Sequence, residues 1–435
     1  MINKTRFFLN ILFAGLLTLS FTAEAALELE LTQGVGSALP IAIMSFATNG
    51  GGLEASKNLN EVINNDLQNS GRFRLLSIAA APLQNSTNPD YNYWRTQKAE
   101  NIVTGSVQAS GSQYQVSFQL HDVYSKSILL EQKYTVSSTQ MRKLSHRISD
   151  TIYEKLIGIP GIFSTQIAYI LVQKNARGKP IKYNLEIADA DGVNPQSLLT
   201  SNQPIMSQAW SPDGKQIAYV SFEGNRSAIY VQNINNGQRQ IIAKFPGING
   251  APAWSPDGRK MALVLTQTGD PKIYILDLTN KQLHQVTSGW SLDTEPTWMP
   301  DGRSILFTSN RGGSSPQIYK VDISTGGVQR VTYEGNYNAR PSVSANGKTL
   351  VVLHQDGNLF GIAVQDLASG RLTKVTQSGY NESPTLAPNG YMIAYASNQN
   401  GRGVLAEVSV DGRVKLFLPA REGEVQEPAW GPFTH

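Results

Sequence analysis

Ser211-Pro212-Asp213-Gly214, Ser255-Pro256-Asp257-Gly258 and Met299-Pro300-Asp301-Gly302 are three copies of one turn, their aspartates 44 residues apart each time. Degenerate copies follow at Ser344-Ala345-Asn346-Gly347 and Ala387-Pro388-Asn389-Gly390. Proline presets φ, the aspartate side chain closes the turn locally, and glycine takes the left-handed position that a hairpin needs. A repeat in the low forties predicts a β-propeller with one four-stranded blade per repeat. The strands around each turn follow one grammar. Pro252-Ala253-Trp254 and Pro296-Thr297-Trp298 end inner strands, and Ile217-Ala218-Tyr219-Val220 and Ile305-Leu306-Phe307-Thr308 begin second strands. Ile167-Ala168-Tyr169-Ile170 is a second strand with no inner strand before it, and Pro428-Ala429-Trp430 is an inner strand with almost nothing after it. Together they complete a sixth blade, so the C-terminal strand closes the ring and removes its open sheet edges.

Outward from the repeat, the 435-residue chain is long enough for more than one domain. Its 38 glycines, 21 prolines and 16% charged residues suit turn-rich β structure. A net charge of +4, with no lysine and arginine cluster, does not favour nucleic acid. Cysteine is absent, which excludes disulfides and thiol sites. Lys4 and Arg6 precede an apolar run over residues 7–21 that ends at Ala23-Glu24-Ala25, the form of a secretory signal over residues 1–25. An exported chain without stable membrane insertion is expected, starting at Ala26 and lacking a lipid-bearing cysteine. Residues 26–37 alternate leucine and glutamate and then turn glycine-rich. They read as a short strand at a free terminus, either an edge of the protein's own α/β sheet or an arm for a partner's sheet. Residues 38–160 form an α/β domain with a mixed sheet, with helices at about 53–68 and 139–157 and strands between. Residues 161–435 form the propeller.

No chemistry stands out. The turn aspartates serve the same turn in every blade, and the tryptophans read as packing between blades. There is no G-x-S-x-G elbow and no metal-spaced histidine pair, and Gly50-Gly51-Gly52 lacks the rest of a phosphate loop. No catalytic residue and no cofactor are expected, and a metal in the channel is left open. His146 is expected half-exposed on the last helix of the first domain. What remains is the channel mouth, lined by the loops 202–207, 246–251, 288–295, 334–340, 379–383 and 422–427. These differ from blade to blade on a rigid ring, where recognition is normally built.

With this order of domains, Gly36-Ser37-Ala38-Leu39-Pro40-Ile41-Ala42, the junction Gly158-Ile159-Pro160-Gly161-Ile162-Phe163-Ser164-Thr165, Asn249-Gly250-Ala251-Pro252 and Thr294-Glu295-Pro296-Thr297-Trp298 resemble the TolB family of periplasmic Tol-Pal proteins. The resemblance spans essentially the whole chain. It implies a monomeric, non-enzymatic periplasmic adaptor that supports outer-membrane integrity and constriction during cell division. Its mouth would bind the peptidoglycan-associated lipoprotein Pal through Met206, Ser207, Ile248, Asn249, Ala251, Thr294, Glu295, Asn338, Arg340 and Glu382. Of these, Asn249, Ala251, Thr294 and Glu295 match the family's mouth loops. Its arm would contact TolA through Leu27, Glu28, Leu29, Glu30, Leu31 and Gly34, and other envelope lipoproteins are further possible partners. The chain departs from its own repeat at Pro341-Ser342-Val343 and Pro384-Thr385-Leu386, where tryptophan is lost. The alternative reading is an exported propeller enzyme or a small-ligand-binding lectin with a channel site.

Overall fold

The computed structural model describes residues 28–31, 38–49, 52–77, 89–313, 315–376 and 379–434. The expected signal segment, Leu27, residues 32–37 with Gly34, and the Gly50-Gly51 pair lie outside the described residues. Among the described residues no helix is long and apolar enough to cross a membrane.

After β1 (Glu28–Leu31), an α/β unit runs through β2 (Leu39–Ile43), β3 (Ala47–Asn49), α1 (Leu53–Asn69), β4 (Phe73–Leu75), α2 (Tyr91–Thr96), β5 (Asn101–Ser110), β6 (Gln113–Asp122), β7 (Ser127–Ser137) and α3 (Met141–Ile157). The sheet order is β4-β2-β5-β6-β7, with β3 also on β5. Pairing is parallel at β2–β4 and β2–β5 and antiparallel at β5–β6 and β6–β7, the expected mixed sheet. Leu59, Ile63 and Leu67 of α1 and Leu144, Ile148 and Ile152 of α3 pack on Val116, Phe118 and Leu120, the inward alternation of β6. Leu53, the first residue of α1, is exposed. The short helix α2 was not anticipated. Asp90 caps it by accepting from the backbone N–H of Asn92 and Tyr93, and Trp94 is buried on the opposite face of the sheet with Ala42 and Ile102.

The propeller has six blades. Five are continuous in sequence, and the sixth joins strand Glu424–Trp430 to Gln166–Lys174 with Trp430 opposite Ile167. The tryptophans do more than pack. Trp254 Nε1 donates to the Ala209 carbonyl at 3.2 Å, Trp298 Nε1 to Ala253 at 3.0 Å, and Trp210 Nε1 to Ala429 at 3.0 Å. Each indole thus fastens its inner strand to the preceding blade. Where tryptophan is lost, hydroxyls take over: Ser342 Oγ accepts from Leu386 N–H at 3.0 Å, and Thr385 Oγ1 accepts from Trp430 N–H at 3.2 Å.

β1 does not join the α/β sheet. It pairs antiparallel with the outer strand Val414–Phe417 of the last contiguous blade, Glu28 opposite Phe417 and Leu31 opposite Val414. A propeller closes its ring but leaves the outer strand of each blade with a free edge, and a four-residue segment matches this four-residue strand.

The two units meet at the turn ends of the blades. Asp150 of α3 accepts from the backbone N–H groups of Phe163 at 2.8 Å and Ser164 at 3.1 Å, which pins the start of the propeller to the helix. Gly161 has to be glycine here, since a Cβ would lie 2.4 Å from Asp150 Oδ1. His146 was expected half-exposed and is instead 2% exposed, because the propeller covers that face of α3. Its Nδ1 lies 2.9 Å from Asp66 on α1 and its Nε2 3.9 Å from Asp191 in the closing blade, where Arg142 also pairs with Asp191 and Asp189. Burial pushes the imidazolium down, but the hydrogen-bonded Asp66 carboxylate, with Asp191 beyond it, more than reverses this and leaves the His146 pKa raised. A raised folded pKa means that this contact stabilises fully below the ordinary histidine value of about 6.5 and fades as pH rises through the folded value. Melting curves of wild type and His146→Asn should therefore differ at pH 6 and converge in alkali (about pH 9). A gap that stays constant with pH would refute the assignment.

Candidate functional site: the propeller mouth

The mouth is built from a repeated irregularity. Each inner strand breaks register against its neighbour, and there one residue adopts a left-handed backbone: Ser207 (φ 55°), Ala251 (43°), Glu295 (53°), Arg340 (53°), Ser383 (54°) and Glu427 (49°). Such a bulge re-aims a side chain and costs about 1 kcal/mol outside glycine. Six of them recur at the same position of the six inner strands.

Three of the six are charged, and they join across the channel. Arg340 places Nε 3.3 Å from Glu295 Oε1 and Nη2 3.3 Å from Glu427 Oε1, and its Nη1 donates to Ser383 Oγ at 2.7 Å. Glu295 Oε2 in turn accepts from Arg340 N–H at 2.9 Å and from Thr308 Oγ1 at 2.8 Å. Glu427 Oε2 accepts from Ser207 N–H at 2.5 Å. One guanidinium therefore ties strands of four blades and closes the neck. With Glu382 exposed beside it, the neck carries three carboxylates against one arginine, a net negative floor.

Around this floor stand the loops. Asn249 and Asn338 are completely buried. Asn249 Oδ1 accepts from Phe245 N–H at 2.8 Å, and its Nδ2 donates to the Phe245 carbonyl at 2.8 Å. Asn338 Nδ2 donates to the Glu334 carbonyl at 2.8 Å and to Gln317 Oε1 at 2.9 Å. Asp293 and Asn381 hold the matching places, with Asp293 accepting from Ser291, Ser309 and Arg311. These four residues shape the loops from within. Met206, Ser207, Ala251, Thr294 and Arg340 are half-buried along the neck, and Ile248 and Glu382 are exposed.

Sequence reading passed over the most accessible apolar groups of the rim. Trp290 is 97% exposed, Tyr380 81% and Tyr333 72%, with Leu292 and Ile248 beside them. All five sit on the loops between an outer strand and the next inner strand, the ends of the blades away from the α/β unit. An aromatic next to glycine in a loop, as in Gly289-Trp290 and Gly379-Tyr380, was the available signal.

Comparison with known proteins agrees with this architecture. The profile described as the TolB amino-terminal domain matches residues 27–129, and that of the TolB beta propeller domain matches residues 153–434. The chain belongs to the TolB family. It is 53% identical over 415 residues to the Tol-Pal system protein TolB of Coxiella burnetii, covering 94% of each chain. It is 50% identical over 421 residues to that of Legionella pneumophila (strain Philadelphia 1), covering 96% of this chain and 98% of the relative. The crystal structure of TolB from Acinetobacter baumannii superposes with a TM-score of 0.86 at 40% identity, over 94% of this chain and all of the other. Membership makes the protein a non-enzymatic component of a Tol-Pal envelope system, which removes the enzyme reading.

Proposed function

We propose that the protein is a periplasmic adaptor that receives the peptidoglycan-associated lipoprotein Pal on the propeller mouth and engages TolA through its N-terminal arm, in support of outer-membrane integrity and constriction during division. The observation that carries this reading is the mouth itself: exposed Trp290, Tyr333 and Tyr380 ring a closed acidic floor. Large apolar groups exposed together on a rigid rim mark a protein interaction surface, and a closed neck suits a docked surface better than a threaded ligand. The boundaries proposed for the functional parts are 1–25 for the signal, 26–37 for the arm, 38–160 for the α/β domain and 161–435 for the propeller.

The arm has a paired state on the blade edge Val414–Phe417. TolA binding through residues 27–31 and Gly34 then competes with that pairing, and mouth and arm are coupled if Pal binds the two arm states with different affinity. One experiment addresses both ends. Titration calorimetry of Thr294→Arg and Ala251→Arg against soluble Pal should show weaker binding with nearly unchanged melting temperature; for Ala251, Arg340 shows that the matching left-handed position of another blade accepts arginine. Hydrogen exchange of residues 26–37 should change when wild type is saturated with Pal. Unchanged affinity in both variants would remove the mouth assignment, and an arm indifferent to Pal would remove the coupling.

A further inference from the structure

A cavity of about 170 Å³ lies between the α/β unit and the propeller, on the side of the ring away from the mouth. One end is acidic. Asp66 of α1, Asp191 of the closing blade and Glu407 of strand Arg402–Ser409 line it together. Asp66 is held by His146 and Asp191 by Arg142. Glu407 is different: it is 5% exposed, and its Oε1 is buried without a hydrogen-bond partner among the described residues. A buried carboxylate oxygen with no donor is rare in a native protein and calls for a missing ligand or a bound proton. The far end is apolar, lined by Leu39, Phe163, Met392 and Leu416. Arg72 and Arg413 also reach the lining, but both are engaged, Arg72 over the Tyr391 ring at 5.7 Å and Arg413 beside Asp411 at 3.8 Å.

We propose that this interdomain cavity is a binding site for a small alkylammonium ion, with the ammonium on Glu407 between Asp66 and Asp191 and the alkyl chain against the apolar wall. An ammonium supplies the donors that Glu407 Oε1 lacks. A bare metal ion fits worse, because the imidazole and the guanidinium already engage the other two carboxylates. Size sets the chain length, since an engineered cavity of about 150 Å³ takes up benzene, so about six or seven heavy atoms fit here. Residues of both units line the site, so an occupant binds only their docked arrangement and stabilises it. Burial, with the Asp191 charge next to it, pushes the Glu407 carboxyl well above the usual carboxylate range. Binding of an ammonium therefore ionises Glu407 and releases its proton to solvent.

The test is calorimetry of the full chain without its signal segment, using n-pentylammonium chloride and 1-pentanol as probes. Pentylammonium should bind with a Kd of about 1 mM or tighter, and pentanol about tenfold or more weakly. Two buffers of different ionisation enthalpy should show about one proton released per pentylammonium bound at neutral pH. Glu407→Gln keeps the shape of the side chain and removes a buried acid, so it should fold at least as well as wild type while losing about tenfold in affinity for pentylammonium. No binding up to about 10 mM would overturn the proposal. So would equal affinity for pentanol, or an E407Q variant that binds as wild type does. None of these outcomes bears on the mouth, which Glu407 does not touch.

Discussion

Deleting residues 428–435 should leave a chain that no longer unfolds as one cooperative propeller. The closing strand supplies what no other segment can. Ala429 and Trp430 pair with Ala168 and Ile167, both completely buried, and Gly431 N–H donates to the Gln166 carbonyl at 2.7 Å. Trp430 Nε1 donates to Thr165 Oγ1 at 2.9 Å inside the seam, and the Ala429 carbonyl accepts the Trp210 indole of the next blade. Truncation therefore opens two blade contacts at once and exposes a strand edge. A point change isolates the packing. Trp430→Ala should cost about 3–5 kcal/mol, a large part of the 5–15 kcal/mol typical of a folded domain. At roughly 2–4 °C per kcal/mol for a domain of this size, its melting temperature should fall by roughly 6–20 °C. Trp430→Phe keeps most of the ring and loses only the hydrogen bond, so about 1–3 kcal/mol is expected. Thermal melts by circular dichroism with limited proteolysis would decide it. A truncated chain melting within a few degrees of the intact one would show that the ring does not depend on its closure.

That architecture was legible because the repeated turn is a local object. Ser211 Oγ donates to Asp213 Oδ1 at 2.6 Å, Asp213 Oδ1 accepts from Lys215 N–H at 3.1 Å, and Gly214 takes φ +68°. Ser344 and Asn346 repeat the same bond at 2.7 Å, so the degenerate copies keep the geometry. The Ser211 hydroxyl holds the Asp213 carboxyl below its ordinary range, as Ser255 does for Asp257, which is a structural use of the acid. Six residues are enough to read such a turn. The mouth is not local. Arg340 meets Glu427 across 87 residues of sequence, and His146 meets Asp66 across 80. No window along the chain contains either pair. Asn249 and Asn338, placed at the mouth by the family resemblance, have buried amides that close their own loops, which no local pattern shows. Helix α2 shows the opposite case: Asp90 after Pro89 was a cap signal present in the sequence, but the helix has only six residues and no apolar period to confirm it.

The same distinction decides where binding energy at the mouth should reside. Replacing Trp290 by alanine should weaken Pal binding by about 30- to 1,000-fold, the effect of losing a hot-spot aromatic. Trp290 is 97% exposed in the free protein, so its indole has almost everything to gain from being covered. Burial of about 200 Å² of aromatic surface at about 25 cal/mol/Å² gives an upper bound near 5 kcal/mol, of which immobilisation removes part. Folding is indifferent to the change, since a side chain this exposed contributes within about 0.5 kcal/mol to stability. Tyr380→Ala, at 81% exposure on the loop two blades away, should lose less, about 5- to 30-fold. The acidic floor acts by another route. Glu382 is exposed, and Glu382→Gln should slow association at low salt while leaving dissociation nearly unchanged. Trp290→Ala should do the reverse and act on dissociation with little dependence on salt. Surface-binding kinetics of the three variants at two ionic strengths would separate the roles. If Trp290→Ala bound Pal within about threefold of wild type, the rim aromatics would not be the anchor, and the docking surface would have to lie elsewhere on the ring.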